Sequence, residues 1–144
     1  MRSDNINDND AKLLMKDIAV VDAARSQGGH ASVTAVIMQN GIRHYGFNKL
    51  GMNKPEHACL HAESEAIKSA ASDYQIDLAG SSLITTRFPC EYCAAQIIWN
   101  NIACVISPPI REDSKWVESQ RIAKRILGYA GVSVREIIVE GVRG

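Results

Sequence analysis

The chain has 144 residues, which suits one domain with a full-sized core. Its 46% hydrophobic and 22% charged content is that of a soluble globular protein. Sixteen basic and sixteen acidic residues cancel, so there is no basic excess of the kind that holds long nucleic acid, and no apolar run is long enough to span a membrane.

The opening MRSDNINDND is polar and reads as frayed over residues 1–10. It lacks the apolar centre of a signal peptide, which points to the cytoplasm. There Cys59, Cys90, Cys93 and Cys104 stay reduced and are available to a metal as thiolates. From Ala11, AKLLMKDIAVVDAARS carries Leu14, Ile18, Val21 and Ala24 at helical spacing, with Leu13 and Val20 widening the face. The glycines of QGGH end that helix. ASVTAVIMQ is a β-branched strand, Asn40-Gly41 a hairpin turn, and IRHYGFN the returning strand. A loop holding Gly51, Asn53 and Pro55 leads to HAESEAIKSAAS, a helix rich in alanine.

SSLITT is a short buried strand, EYCAAQIIWNN a helix opened by Pro89 and Cys90, and IACVIS another buried strand stopped by Pro108 and Pro109. SKWVESQRIAKRILGYA is an amphipathic helix on Trp116, Ile122, Ile126 and Tyr129, ended by Gly131; VSVREIIVE is the last strand. This order predicts an α/β fold in one domain over residues 1–144. Helices would cover both faces of a five-stranded mixed sheet as a three-layer α/β/α sandwich. The last two strands are separated by a whole helix, so they are expected to run parallel.

Cys90 and Cys93 are three apart, which turns both sulfurs to one side of a helix's first turn. The amides of a helix N-terminus favour negative charge there and lower thiol pKa values. His61, at the start of the other helix, supplies a third ligand; two sulfurs and one nitrogen suit tetrahedral Zn2+. Three protein ligands leave a position for water, as in a catalytic site. Glu63, two residues after His61, diverges from it around the helix axis. It is therefore placed to move protons at the water and the substrate rather than to ligate.

HAE followed by PCEYC has the form H-x-E…P-C-x-x-C, which resembles the zinc-dependent cytidine and deoxycytidylate deaminase superfamily. The likeness runs from about Ala31 to Val139 and is strongest to the deoxycytidylate branch, through TRFPCEYCAAQII and YGFN. The resemblance implies hydrolytic deamination of a cytosine nucleotide, dCMP to dUMP with release of ammonia. Zn2+ is the cofactor, His61, Cys90 and Cys93 its ligands, and Glu63 the acid/base. It further implies that Asn48 contacts pyrimidine or sugar and that the backbone of Ala62 contacts the base. Phe88, beside the zinc cysteines, is a pocket-wall candidate. A homo-oligomer, dimer or hexamer, is also implied, with a small-molecule nucleotide as substrate and no membrane partner. Parallel final strands agree with the deoxycytidylate and tRNA adenosine deaminase branches, whereas free-cytidine deaminases more often join these strands by a hairpin.

Three departures border the expected pocket: Thr34 where the family usually has glycine, Lys49 for a second glycine, and Glu65 for asparagine. A phosphate beside Glu65 would be repelled, so a monophosphate substrate needs Glu65 to face away. Arg25, Arg87 and Arg111 are the arginines considered for a phosphate. Trp116 reads either as a base-stacking group or as helix-face core. His57 and Cys59 read as a second zinc site or, more simply, as a loop histidine and a buried thiol. The rival substrates are a tRNA and other nucleobases or nucleosides (adenosine, cytidine, guanine), with Lys115, Arg121, Lys124 and Arg125 as the face a tRNA would touch. The rival from another class is a noncatalytic zinc-stabilised binding domain, which would have no use for Glu63.

Overall fold

The structure is a computed structural model describing residues 6–25, 33–50, 58–74, 77–140 and 142. Helix α1 spans Asp8–Arg25. It begins before Ala11 because Asn7 caps it: the Asn7 carbonyl accepts from the Ala11 N–H at 2.9 Å and Asn7 Oδ1 from the Asp10 N–H at 2.8 Å. Residues 8–10 are thus helical, not frayed. The buried stripe is Ala11, Leu14, Met15 and Ile18. Leu13 and Val20 are 60% and 70% exposed and do not widen it; seven apart, they share the solvent side.

Strands β1 (Thr34–Gln39) and β2 (Ile42–Phe47) form the expected antiparallel hairpin, closing at Gln39 opposite Ile42. Asn40 and Gly41 have φ of 54° and 78°, the left-handed pair that a two-residue turn of matching twist requires. A small antiparallel ribbon, β3 (Lys49–Leu50) with β4 (Ala58–Leu60), stands where the sequence reads as loop. Strands this short carry no detectable periodicity.

Then follow α2 (Ala62–Tyr74), β5 (Ser82–Thr85), α3 (Glu91–Trp99), β6 (Cys104–Ser107), α4 (Val117–Tyr129) and β7 (Ser133–Glu136). The main sheet has the order β2-β1-β5-β6-β7. β1 pairs antiparallel with β5, and the β5–β6 and β6–β7 pairs are parallel, as expected. β7 is shorter than the apolar run suggests; past it Ile137 and Val139 turn inward while Ile138 is exposed.

Each face of the sheet carries its own core. Val36, Ile84 and Ile106 pack with α1. Ala35, Ile37, Leu83 and Val105 pack with Ala66, Ala94, Ala123 and other residues of α2, α3 and α4. Alternation along each strand produces the two sets, and the result is the three-layer sandwich. On α4 the buried residues are Gln120, Ala123 and Leu127; Trp116 and Tyr129, two of the expected apolar face, are 41% and 87% exposed. Alanines let α2 lie close on β2. A Cβ on Gly46 would stand 2.2 Å from both the Ala62 oxygen and the Ala66 nitrogen, so glycine is required there by contact rather than by φ.

Candidate metal centre

The carboxyl end of β5 and the N-termini of α2 and α3 bring the sequence-predicted residues together. His61 is the residue before α2, and its carbonyl accepts from the Glu65 N–H at 3.0 Å. Cys90 is the N-cap of α3, with extended φ −80° and ψ 171°. Its side chain makes no capping bond, because its sulfur faces His61 instead. Cys93, one turn on, is buried. His61 Nδ1 lies 3.3 Å from Cys90 Sγ and 3.5 Å from Cys93 Sγ, and the three ligand atoms all lie within 4.8 Å of one another.

This geometry fits zinc. Bonds of the usual Zn–S and Zn–N lengths at a tetrahedral angle place sulfur and nitrogen about 3.5 Å apart. The charges fit too. The Cys90 thiol is lowered to about 4, chiefly by its hydrogen bond with Cys93 and then by His61. Cys93 is pushed up by the hydrogen bond with Cys90 and by burial. His61 is raised by its hydrogen bond to Cys90. Two sulfurs held this close share one proton until a cation balances the second negative charge. The Ser64 hydroxyl, 3.4 Å from Cys93 Sγ, steadies the buried sulfur.

Glu63 is buried beside this cluster, 5% exposed, and burial raises its carboxyl to about 7. A carboxyl poised near neutrality can both accept and return a proton. Glu63, His61 and Cys90 open onto a cleft with about 450 Å³ of atom-free space, part of it open to solvent. Asn48, Ala62 and Phe88 line the same cleft, so every predicted site residue meets there except Cys93, buried behind Cys90. Asn48 is held by Val33, whose N–H donates to Asn48 Oδ1 at 3.0 Å.

Trp116 resolves to the cleft wall, its ring 6.4 Å from the His61 ring at 74°. Of the arginines considered, Arg87 lines the cleft, whereas Arg111 is bound in a fork to Asp113 at 3.0 and 2.7 Å. The side chain of Arg25 lies outside the described residues, as do His57 and the side chain of Cys59, so the second zinc site falls there too. Glu65 is not among the cleft-lining residues. Gln120, which also lines the cleft, had no sequence signal beyond its place on an amphipathic helix.

The family model for the cytidine and deoxycytidylate deaminase zinc-binding region matches residues 8–107. No curated protein sequence matches the chain significantly. Among solved structures, the dCMP deaminase of cyanophage S-TIM5 in complex with dCMP and dUMP is 18% identical, with a TM-score of 0.70 over 92% of this chain and 100% of that one. A diaminohydroxyphosphoribosylaminopyrimidine deaminase/reductase from Thermotoga maritima is 23% identical, with a TM-score of 0.67 over 92% of this chain and 36% of that one. A deaminase of the wobble position of transfer RNA is 20% identical, with a TM-score of 0.62 over 88% and 98%. With ligands at zinc-binding distance, a buried carboxyl in their cleft and a family match across both motifs, the chain belongs to the cytidine and deoxycytidylate deaminase zinc-binding family.

Proposed function

We propose that the protein is a hydrolytic deaminase of a cytosine nucleotide, converting dCMP and water to dUMP and ammonia. The observation that carries the reading is Glu63: a carboxyl buried in the same cleft as His61 and Cys90, with its pKa raised to about 7. A zinc that only braced the fold would have no use for it. His61, Cys90 and Cys93 would hold a zinc ion, which would acidify a water in the cleft towards neutrality. Glu63 takes a proton from the attacking water and delivers it to the ring nitrogen beside the reacting carbon. It then takes the remaining proton of the hydroxyl added to the ring carbon and passes it to the amine, so that the carbonyl forms as the C–N bond breaks and ammonia leaves. Asn48, the Ala62 backbone and Phe88 orient the base, with Trp116 as a further wall.

Several features support a mononucleotide. Arg87 offers a guanidinium at the cleft, and Glu65 does not line it. The parallel β6–β7 pair agrees with the deoxycytidylate and tRNA adenosine deaminase branches rather than with free-cytidine enzymes. The cyanophage neighbour binds dCMP and dUMP. A tRNA substrate is less well supported: on the basic face considered for it, Arg121 pairs with Glu118 and Glu112, and Lys124 with Glu136. The same reading expects a cytoplasmic homo-oligomer.

The test is ammonia release from dCMP, deoxycytidine, cytidine, guanine, adenosine and tRNA, each with and without a chelator. Chelator-sensitive release from dCMP above all others is expected. Release from tRNA or a free base alone would replace the substrate, and no release from any would overturn the catalytic reading.

A further inference from the structure

We propose that Ser119 and Gln120, adjacent residues of α4, are positioning residues of the metal centre. They hold the segment Phe88–Glu91 at both ends and so set where Cys90 points. The inference rests on the reading that His61, Cys90 and Cys93 bind zinc.

The first amides of a helix need acceptors, and the N-cap side chain normally supplies one. At α3 that residue is Cys90, which makes no such bond. The first amide of α3, which an N-cap side chain does not reach, finds its acceptor on another helix: the Glu91 N–H donates to Ser119 Oγ at 3.0 Å. At the other end of the segment, Gln120 Nε2 donates to the Phe88 carbonyl at 3.0 Å. Between the two anchors lies Pro89, whose ring fixes φ. Cys90 is thereby held on both sides by consecutive residues of α4 while its sulfur remains free to face His61.

Gln120 is an odd residue for its place. It is 3% exposed, on a stripe otherwise made by Ala123 and Leu127. Its Oε1 is buried and has no hydrogen-bond partner among the described residues. A half-satisfied buried amide destabilises a fold relative to an apolar side chain of similar size. Packing alone therefore does not account for glutamine; the bond to Phe88 does. Groups that orient a metal's ligands without touching the metal commonly set its affinity.

The experiment measures the zinc dissociation constant of the full chain by chelator competition, together with the melting temperature of the metal-free protein. Ser119→Ala and Gln120→Met are each expected to weaken zinc binding about tenfold. Ser119→Thr, which keeps the hydroxyl, is expected to stay within about threefold of the parent protein, and all variants to remain folded without metal at the assay temperature. The cobalt-substituted proteins add a second readout, a shifted thiolate-to-metal absorption band in the two weakened variants. Zinc constants of both variants within about threefold of the parent protein would overturn the proposal. So would weakening that appears only where the metal-free variant is unfolded, or with an unshifted cobalt band, which would assign these bonds to general packing. A parent protein that binds no stoichiometric zinc would instead overturn the metal reading on which all of this rests.

Discussion

The two faces of the sheet are built from similar strands and serve different ends. On one, α1 lays Ala11, Leu14, Met15 and Ile18 over Val36, Ile84 and Ile106, an apolar contact. On the other, three helices pack over Ala35, Ile37, Leu83 and Val105. There α2 and α3 start beside one another, and polar groups are buried where they start: Glu63, Cys93 and the bridging Gln120. The difference shows what turns a core into a reaction site. A single helix lying across strands can only cover them. Two helix N-termini meeting at a strand's carboxyl end provide unpaired amides, favour negative charge and leave a cleft.

Changes on each face should therefore fail in different ways. The largest effect is expected at Glu63. Glu63→Gln should lower turnover by about 10²- to 10⁴-fold with zinc content unchanged; ammonia release and metal analysis check this, and near-parental turnover would remove Glu63 from the chemistry. Next comes Gly46→Ala, whose added methyl would collide with backbone atoms at the start of α2. It should lower stability by about 3 kcal/mol or more in urea titration and reduce activity further by shifting His61 and Glu63.

Met15→Ala, at a fully buried position on the sheet-facing side of α1, sharpens the contrast: it should cost about 2–5 kcal/mol of stability while the folded fraction keeps its kcat. A kcat that fell in proportion would mean that the two faces are coupled. A further prediction concerns pH and the metal-free protein. The Glu63 carboxyl is raised from 4.5 to about 7 in the folded state. Between those values the native state binds the extra proton, so stability falls as pH rises through that window. Glu63→Gln should relieve this, adding up to about 3 kcal/mol at pH 8 and nothing near pH 4. Equal gains at both pH values would sink the burial argument. The smallest effect is expected at Arg121→Ala, which breaks exposed pairs with Glu112 and Glu118. The loss should stay under about 1 kcal/mol with unchanged turnover.

Much of this was legible in the sequence, for identifiable reasons. Cys90 and Cys93 are read from a local spacing that helix geometry turns into proximity, their meeting with His61 and Glu63 from the resemblance carried by H-x-E…P-C-x-x-C, and the five sheet strands from apolar or β-branched runs between turn signals. What escaped depends on tertiary partners. The buried stripe of α4 departs in part from the expected face: Ile126 packs on the core, but Trp116 and Tyr129 recur at helical spacing yet face the cleft mouth and solvent, while polar Gln120 is buried. The early start of α1 turned on one asparagine cap, and the β3–β4 ribbon on two residues. Ser119 serves a helix 28 positions away in sequence, counting to Glu91, and no local pattern announces such a partner.

The outward side of α1 offers a practical consequence. Leu13 and Val20 project into solvent from the layer opposite the cleft. A fluorophore coupled at either position would have α1 and the sheet between it and the cleft. It could follow unfolding of the domain in real time without interfering with turnover.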